Sequence, residues 1–125
     1  MGKAANPRKV GEKEALAVGT MIRGSSRKLN LVAGLIRGRK VEEAMNILKF
    51  SPKGMSEDVY KVLASAVASA ENNHNLDVDA LIVSEASVGK SLTMKRFATR
   101  ARGRSSRVVK PFSRLRVVVR EQEEA

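Results

Sequence analysis

The sequence predicts an α+β fold, in which three helices pack on a small antiparallel β-sheet and a long basic β-hairpin protrudes from it. Between residues 25 and 75, apolar residues recur with the spacing of helices. Two β-rich segments follow, and a dense run of basic residues separates them. With 125 residues, the chain is long enough for one domain but too short for two ordinary ones.

The first half of the chain predicts one strand and two helices. The strand is expected at Glu14–Arg23, although its alanines weaken the β-propensity. Ser25 or Ser26 can cap the first helix, and Gly38 follows its end. The second helix lies within "KVEEAMNILKFSP", whose paired glutamates favour a helix start. The faces expected to be buried are Leu29, Val32, Leu35 and Ile36 in the first helix, and Val41, Ala44, Met45 and Leu48 in the second.

The third helix has the most regular apolar pattern. Ser56 is predicted to cap the segment "EDVYKVLASAVASAENN". Apolar residues recur there at i, i+3, i+4, i+7, i+8 and i+11, namely Val59, Val62, Leu63, Ala66, Val67 and Ala70. The pattern then changes to strands in "DALIVSEASV" and "FSRLRVVVRE". In the second of these, Leu115, Val117 and Val119 alternate with Arg114, Arg116 and Val118.

These two strands are predicted to form one long hairpin, with limbs at residues 80–97 and 104–120 and a turn at Gly103. About ten residues of each limb, or roughly 30 Å at ~3.3 Å per residue, exceed a compact sheet, so a tip near residues 90–110 should project. The single domain therefore spans residues 14–120, including the hairpin at 80–120. Residues 1–13 are expected to be a flexible basic arm, and residues 121–125 an acidic tail.

The positive charge is concentrated on the hairpin. Eleven Lys and Arg residues and no Asp or Glu lie between Lys90 and Arg120, whereas the other 94 residues carry thirteen bases and thirteen acids. The net charge of +11 therefore belongs to one 31-residue segment, as is typical of a polyanion-binding surface. Such a self-repelling ribbon is expected to need a partner to become ordered. The excess of Arg favours nucleic acid, and the neutral helices favour RNA over duplex DNA.

The sequence offers little to an enzyme or a metal site. There is no cysteine, and His74 is the only histidine, at the polar end of the third helix. The segment "VGKS" lacks the earlier glycine of a phosphate-binding loop, and "SSRK" lacks the companion motifs of serine acylases. We therefore expect no catalytic residue, cofactor, metal or small-molecule substrate. No signal peptide or membrane-length apolar segment is evident, so a cytoplasmic protein without membrane contact is expected.

Two alternatives remain open from the residues alone. A nucleoid-type protein could bind DNA with a basic β-arm, and a cationic segment could act on membranes, although it lacks the Trp/Leu face needed for insertion. Phe97 could either stack on a base or pack across the hairpin.

Two segments resemble the bacterial large-subunit ribosomal protein L22 family, and the similarity spans residues 15–120. The first consists of Ser25, Arg27, Lys28, Val32, "IRG" at 36–38, Val41 and Ala44. The second consists of Leu92, "MKRF" at 94–97, "RA" at 100–101, "GR" at 103–104, Arg107, Lys110, Ser113 and "VVV" at 117–119. The chain departs from the family pattern at three positions: Ser26 replaces a proline, Asn30 replaces a common arginine and Arg114 replaces a common histidine.

The resemblance implies a structural constituent of the large ribosomal subunit. Its partners would be large-subunit ribosomal RNA, neighbouring ribosomal proteins and the nascent polypeptide in the exit tunnel, with the hairpin tip near the macrolide site. It would also assist subunit assembly. The implied RNA contacts are Arg27, Lys28, Arg37, Arg39, Lys40, Lys90, Lys95, Arg96, Arg100, Arg102, Arg104, Arg107, Lys110 and Arg114. The implied tunnel-lining tip consists of Met94, Lys95, Arg96, Thr99, Arg100, Ala101, Arg102 and Gly103.

Overall fold

A computed structural model of the chain describes residues 2, 13–99 and 101–122. It confirms the predicted α+β class, with three helices and an antiparallel sheet. The strands are β1 (Glu14–Arg23), β2 (Leu81–Thr99) and β3 (Ser105–Glu121), and the helices are α1 (Ser26–Ile36), α2 (Val41–Phe50) and α3 (Met55–His74). A 3₁₀ turn at Val78–Ala80 precedes β2, and a tight turn at Ala101–Gly103 with a non-helical backbone at Arg102 precedes β3. The predicted arm at residues 1–13 lies outside the described residues except for residues 2 and 13, as does the predicted tail from residue 123.

The sheet has the order β1-β3-β2, so β3 is its central strand. β1 pairs with β3 from Glu14↔Arg120 to Arg23↔Phe112. β2 pairs with β3 much further, as far as Thr99↔Ser105. The sheet therefore has three strands in the globular part and continues as a two-stranded hairpin. A bulge between Lys90 and Thr93 puts one extra residue into β2 where this change occurs.

The hydrophobic core lies between one face of the sheet and the three helices. α3 contacts β1 and β3, and α1 contacts β2. Leu115, Val117 and Val119 are buried in this core, as the alternation in β3 predicts. Val118 is also 97% buried, being only 3% exposed, although the alternation predicts the outer face for it. It lies in the central strand, paired with Leu16 of β1 on one side and with Glu85 of β2 on the other.

Helix α1 begins as predicted, but its buried face differs from the prediction. The Ser25 hydroxyl accepts a hydrogen bond from the backbone N–H of Lys28 at 3.3 Å, so Ser25 is the cap. Leu35, predicted to be buried, is 38% exposed, and Ala33 is buried instead. At 100° per residue, Leu35 lies about 110° from the middle of the face formed by the buried residues of α1.

The prediction that Ser56 caps α3 is wrong. The helix begins at Met55 after Gly54, and Ser56 is its second residue. Ser56 is 1% exposed and lies in line with Val59 and Leu63 on the face that packs into the core. Its Oγ has no hydrogen-bond partner among the described residues. A serine near a helix start can lie inside the first turn as well as at the cap, and Ser56 lies inside it.

A pair of hydrogen bonds ties the end of β1 to the base of the hairpin. The Ser113 hydroxyl donates to the carbonyl oxygen of Gly24 at 2.8 Å, and the Gly24 N–H donates to the carbonyl oxygen of Pro111 at 3.1 Å. Gly24 has φ 137°, and a Cβ there would lie 1.8 Å from Cε of Met55. A glycine is therefore required at this junction by its backbone conformation, whereas the end of the flexible Met55 side chain could move away from a Cβ.

Candidate nucleic-acid interface

The hairpin beyond the Arg23–Phe112 pair is held together without a hydrophobic core. In this two-stranded part, Thr93–Thr99 of β2 pair with residues 105–111 of β3, over roughly 20 Å at ~3.3 Å per residue. None of the buried core residues belongs to it. Its side chains are exposed or half-buried, and three large apolar ones (Met94, Phe97 and Val109) are at least 40% exposed. This segment therefore depends on its backbone ladder and on what lies around it.

The turn at the tip has a left-handed backbone at two successive residues. Gly103 has φ 72°, which agrees with the turn predicted there, and Arg102 has φ 63° and ψ 32°. A left-handed conformation is uncommon for a residue with a side chain. Arg102 is exposed, so its guanidinium is presented at the end of the hairpin. Arg100, a predicted contact residue, lies outside the described residues.

Cross-strand partners share a face of the ribbon, so the register divides the hairpin into two faces. The Met94 face consists of Met94 opposite Lys110, Arg96 opposite Val108 and Ala98 opposite Ser106. The Phe97 face consists of Lys95 opposite Val109, Phe97 opposite Arg107 and Thr99 opposite Ser105. Cations therefore lie on both faces, as their spacing in the sequence predicts. Sequence neighbours such as Lys95 and Arg96 point in opposite directions.

The Met94 face forms a cationic groove where it meets the globular part. A shallow pocket of about 330 Å³ is lined by Arg23, Met94, Arg96, Lys110 and Phe112. Arg23 is an additional functional candidate that the sequence reasoning missed. It is the last residue of β1, and its pairing with Phe112 brings its charge beside those of Arg96 and Lys110. Only the register of a long-range strand pair reveals this proximity.

Lys90 and Arg114 lie at the base of the hairpin, and both are exposed. They belong to neighbouring cross-strand pairs, Lys90 with Ser113 and Arg114 with Gly89. Further into the globular part, Arg116 forms an ion pair with Glu85 at 3.8 Å. The cationic surface therefore extends from the tip to the edge of the three-stranded sheet.

The five predicted contact residues in the globular part are all exposed but differ in their surroundings. Arg27 and Lys28 lie in the first turn of α1, and Lys40 immediately precedes α2. Arg37 donates from Nε to the carbonyl oxygen of Ala86 at 2.8 Å, and its guanidinium also contacts the side-chain oxygen of Asn30. Arg39 donates from Nε to the carbonyl oxygen of Leu35 at 2.9 Å and forms a 2.7 Å ion pair with Glu43.

Arg37 and Arg39 therefore use part of their hydrogen-bonding capacity within the protein. An arginine has five N–H donors, so each can still bind an external anion. The carboxylate of Glu43 lowers the local positive charge at Arg39, whereas Asn30 is neutral. Arg27, Lys28 and Lys40 are the stronger anion-binding candidates in the globular part.

The described residues contain no group of three or more His, Asp or Glu side chains that could hold a metal ion. His74, the only histidine of the chain, is the last residue of α3. Among the helices in the described part of the chain, none is both long and apolar enough to cross a membrane.

Comparison with known proteins gives a consistent result over the whole chain. Residues 17–120 match the family model described as ribosomal protein L22p/L17e. The chain is 77% identical over 125 residues to the large ribosomal subunit protein uL22 of Zymomonas mobilis, covering 100% of this chain and 99% of that protein. It is 73% identical to the protein of the same name from Novosphingobium aromaticivorans, with 100% of both chains covered. The corresponding protein of Maricaulis maris is 61% identical, with 100% of this chain and 99% of that protein covered.

Proposed function

The chain belongs to the ribosomal protein L22p/L17e family, and from this membership we propose that it is a non-catalytic structural constituent of the large ribosomal subunit in the cytoplasm. In this role it binds large-subunit ribosomal RNA and assists the assembly of the subunit. The full-length match to relatives named as large-subunit proteins supports the proposal.

One observation carries the RNA-binding part of the proposal: the hairpin has cations on both faces and no core of its own. A surface protein with one basic patch needs cations on one side only. A ribbon that carries them on both sides suits a position between RNA segments, where phosphates approach from several directions. Arginine is suited to this role, because its planar fork pairs with two phosphate oxygens at once.

The proposed interface has two parts. The hairpin contributes Lys90, Lys95, Arg96, Arg100, Arg102, Arg104, Arg107, Lys110 and Arg114, and the groove on the Met94 face adds Arg23. The globular part contributes Arg27, Lys28 and Lys40, with Arg37 and Arg39 binding through the donors that the protein leaves available. The globular part thus anchors the protein, and the hairpin neutralises the RNA that surrounds it.

We further propose that the end of the hairpin lines the exit tunnel for nascent polypeptides, near the site of macrolide binding. The tunnel wall would include the turn Ala101–Gly103 together with Thr99 and Arg100. Since Lys95 and Arg96 lie on opposite faces, only one of these two side chains can point to the lumen at a time. Met94 lies on the face of Arg96, so these two would reach the same side of the wall.

Sedimentation of cell lysate in density gradients tests the proposal, at low and at moderately high salt, with immunodetection of this chain. We expect co-migration with the large subunit that survives the salt step, because a hairpin enclosed by folded RNA cannot dissociate by charge screening alone. Release into the light fractions, or recovery with chromosomal DNA, would overturn the proposal. The second of these outcomes would favour a DNA-binding protein with a basic β-arm.

A further inference from the structure

The aromatic ring of Phe97 is exposed to solvent on one face of the hairpin. It is 78% exposed, although it lies two residues before the end of β2 within a regular ladder. The chain has only three Phe, one Tyr and no Trp, so Phe97 is one of four aromatic residues and yet does not contribute to the core. The alternative of cross-strand packing, left open by the sequence, does not cover the ring.

The surroundings of Phe97 define what could cover it. Arg107 lies directly opposite in the register, and Lys95 is the next residue of β2 on the same face. Both cations are exposed. A ligand on this ring therefore meets a flat apolar surface with positive charge at two of its edges. An apolar peptide segment would match the ring but would bury these cations without a counter-charge.

A nucleotide satisfies both requirements at once. Its base is a flat π system that stacks on an aromatic ring, and its phosphates can pair with the neighbouring cations. The phenyl ring has no polar atom, so stacking on it does not select among bases. Specificity for the position would come from the RNA fold, which must present an unpaired base at the hairpin.

We infer that Phe97 stacks on an unpaired base of large-subunit ribosomal RNA, with Lys95 and Arg107 pairing with the phosphates beside it. This inference rests on the proposed function and adds a base contact to an interface otherwise described by phosphate contacts. It also assigns the part of the Phe97 face around the ring to RNA, and leaves the tip turn for the tunnel lumen.

A matched pair of substitutions tests the inference. Phe97→Leu keeps an apolar side chain but removes the π face, and Phe97→Tyr keeps the ring. Phe50→Leu is the control, because Phe50 lies at the end of α2 and is 80% exposed. Each full-length variant is titrated with large-subunit ribosomal RNA, and large subunits reconstituted with it are probed with base-modifying reagents.

We expect Phe97→Leu to weaken RNA binding by roughly 5- to 150-fold, the range for losing one stacked base. One nucleotide or a small group should gain chemical reactivity, and Phe97→Tyr should restore both properties. Phe50→Leu should match the unsubstituted chain. All variants should unfold at the same temperature, because the side chains concerned are exposed.

Two results would overturn the inference without affecting the proposed function. One is that Phe97→Leu binds RNA as tightly as the control does, and that the RNA bases in its reconstituted subunits react as they do with the control. The other is unchanged RNA reactivity with altered crosslinking of this position to a nascent chain, which would assign the ring to the tunnel lumen. Failure of the unsubstituted chain to bind large-subunit RNA would instead overturn the proposed function itself.

Discussion

At the scale of single residues, two buried serines differ in whether their hydroxyl groups have a hydrogen-bond partner. Ser56 and Ser113 are each 1% exposed. The Ser113 hydroxyl donates to Gly24, whereas Oγ of Ser56 has no partner among the described residues. Removing the Ser113 hydroxyl leaves a partly buried acceptor, the Gly24 carbonyl oxygen, without its hydrogen bond, but removing an unpartnered hydroxyl breaks no hydrogen bond. The same substitution should therefore have different effects at the two positions.

We expect Ser113→Ala to lower the free energy of unfolding by about 1–3 kcal/mol, because the carbonyl oxygen of Gly24 loses its hydrogen bond. Denaturant-induced unfolding, monitored by circular dichroism, measures this change. The β1 end of the hairpin base should also exchange its amide hydrogens faster, starting with the N–H of Gly24. A stability equal to that of the unsubstituted protein would mean that this hydrogen bond does not fix the junction.

Ser56→Ala should leave the free energy of unfolding within about 0.5 kcal/mol of its original value or raise it. Alanine has the higher helix propensity, and no hydrogen bond to a described residue is lost. The same denaturation measurement applies, with Ser65→Ala at an exposed position of α3 as the control for propensity. A loss above about 1 kcal/mol would show that the Ser56 hydroxyl has an acceptor in solution.

Sequence reasoning has a clear limit at this scale. It located the start of α3 to within two residues but could not tell a capping serine from one inside the first turn. The same local sequence is compatible with a serine at the cap and with a serine in the first turn. Which of the two forms depends on whether the core has room for the serine side chain. Likewise, the contact of Arg37 with Ala86 joins residues 49 positions apart, so no local pattern indicates it.

At the scale of elements, the residues proposed to bind RNA and the residues that stabilise the fold lie in different parts of the chain. Its charges lie outside the core, and the core residues lie outside the two-stranded part. The elements were predictable because their signals are periodic: the strand Glu14–Arg23 was predicted with its observed bounds, and the helices have regular apolar faces. The partner of β1 was not predictable, because the pairing of β1 with β3 depends on how three distant segments assemble.

The double substitution Arg104→Ala with Arg107→Ala tests this separation. We expect weaker binding to large-subunit RNA and a log–log salt dependence that is shallower by about 1.5, because roughly 0.7–0.9 is lost per phosphate contact. The free energy of unfolding should change by less than about 0.5 kcal/mol, as is usual for exposed positions. Filter-binding titrations at several salt concentrations and thermal unfolding give the two quantities.

The control is Lys49→Ala with Lys61→Ala, which removes the same charge from exposed positions in α2 and α3. Lys61 has only a 3.9 Å, largely exposed contact with Glu57, so its loss should affect stability little. Equal weakening of RNA binding by both double variants would show that net charge, and not the hairpin, determines affinity.

At the scale of the whole molecule, the globular part should fold without the tip. Replacing residues 95–109 with Asn-Gly would connect Met94 to Lys110, its partner in the register, through a favoured two-residue turn. No core residue is removed, so we expect cooperative unfolding at nearly the original temperature. Loss of the cooperative transition would mean that the tip contributes to the fold.

The intact chain and this shortened variant should differ most in their response to salt. If about eight phosphates are contacted, the affinity of the intact chain for RNA should follow a log–log slope near −6 to −7. The shortened variant lacks most of the hairpin cations and should have a much shallower slope. Titrations of both proteins with large-subunit RNA over a range of salt concentrations measure this difference, and equal slopes would contradict it.

The bulge between Lys90 and Thr93 has a consequence for how the hairpin can change in length. In a ladder, a shift of one residue transfers every later side chain to the opposite face. Removing one residue from each strand between the bulge and the tip would therefore exchange the surroundings of Phe97 and Met94 relative to the globular part. Deleting only the extra residue of β2 would leave Phe97 opposite Arg107, because the alternation of β3 fixes the face of each pair. Insertions or deletions of two residues in each strand would alter the reach of the hairpin but preserve its orientation. Length variation during evolution should accordingly occur in even steps, and a single-residue change should require a compensating bulge.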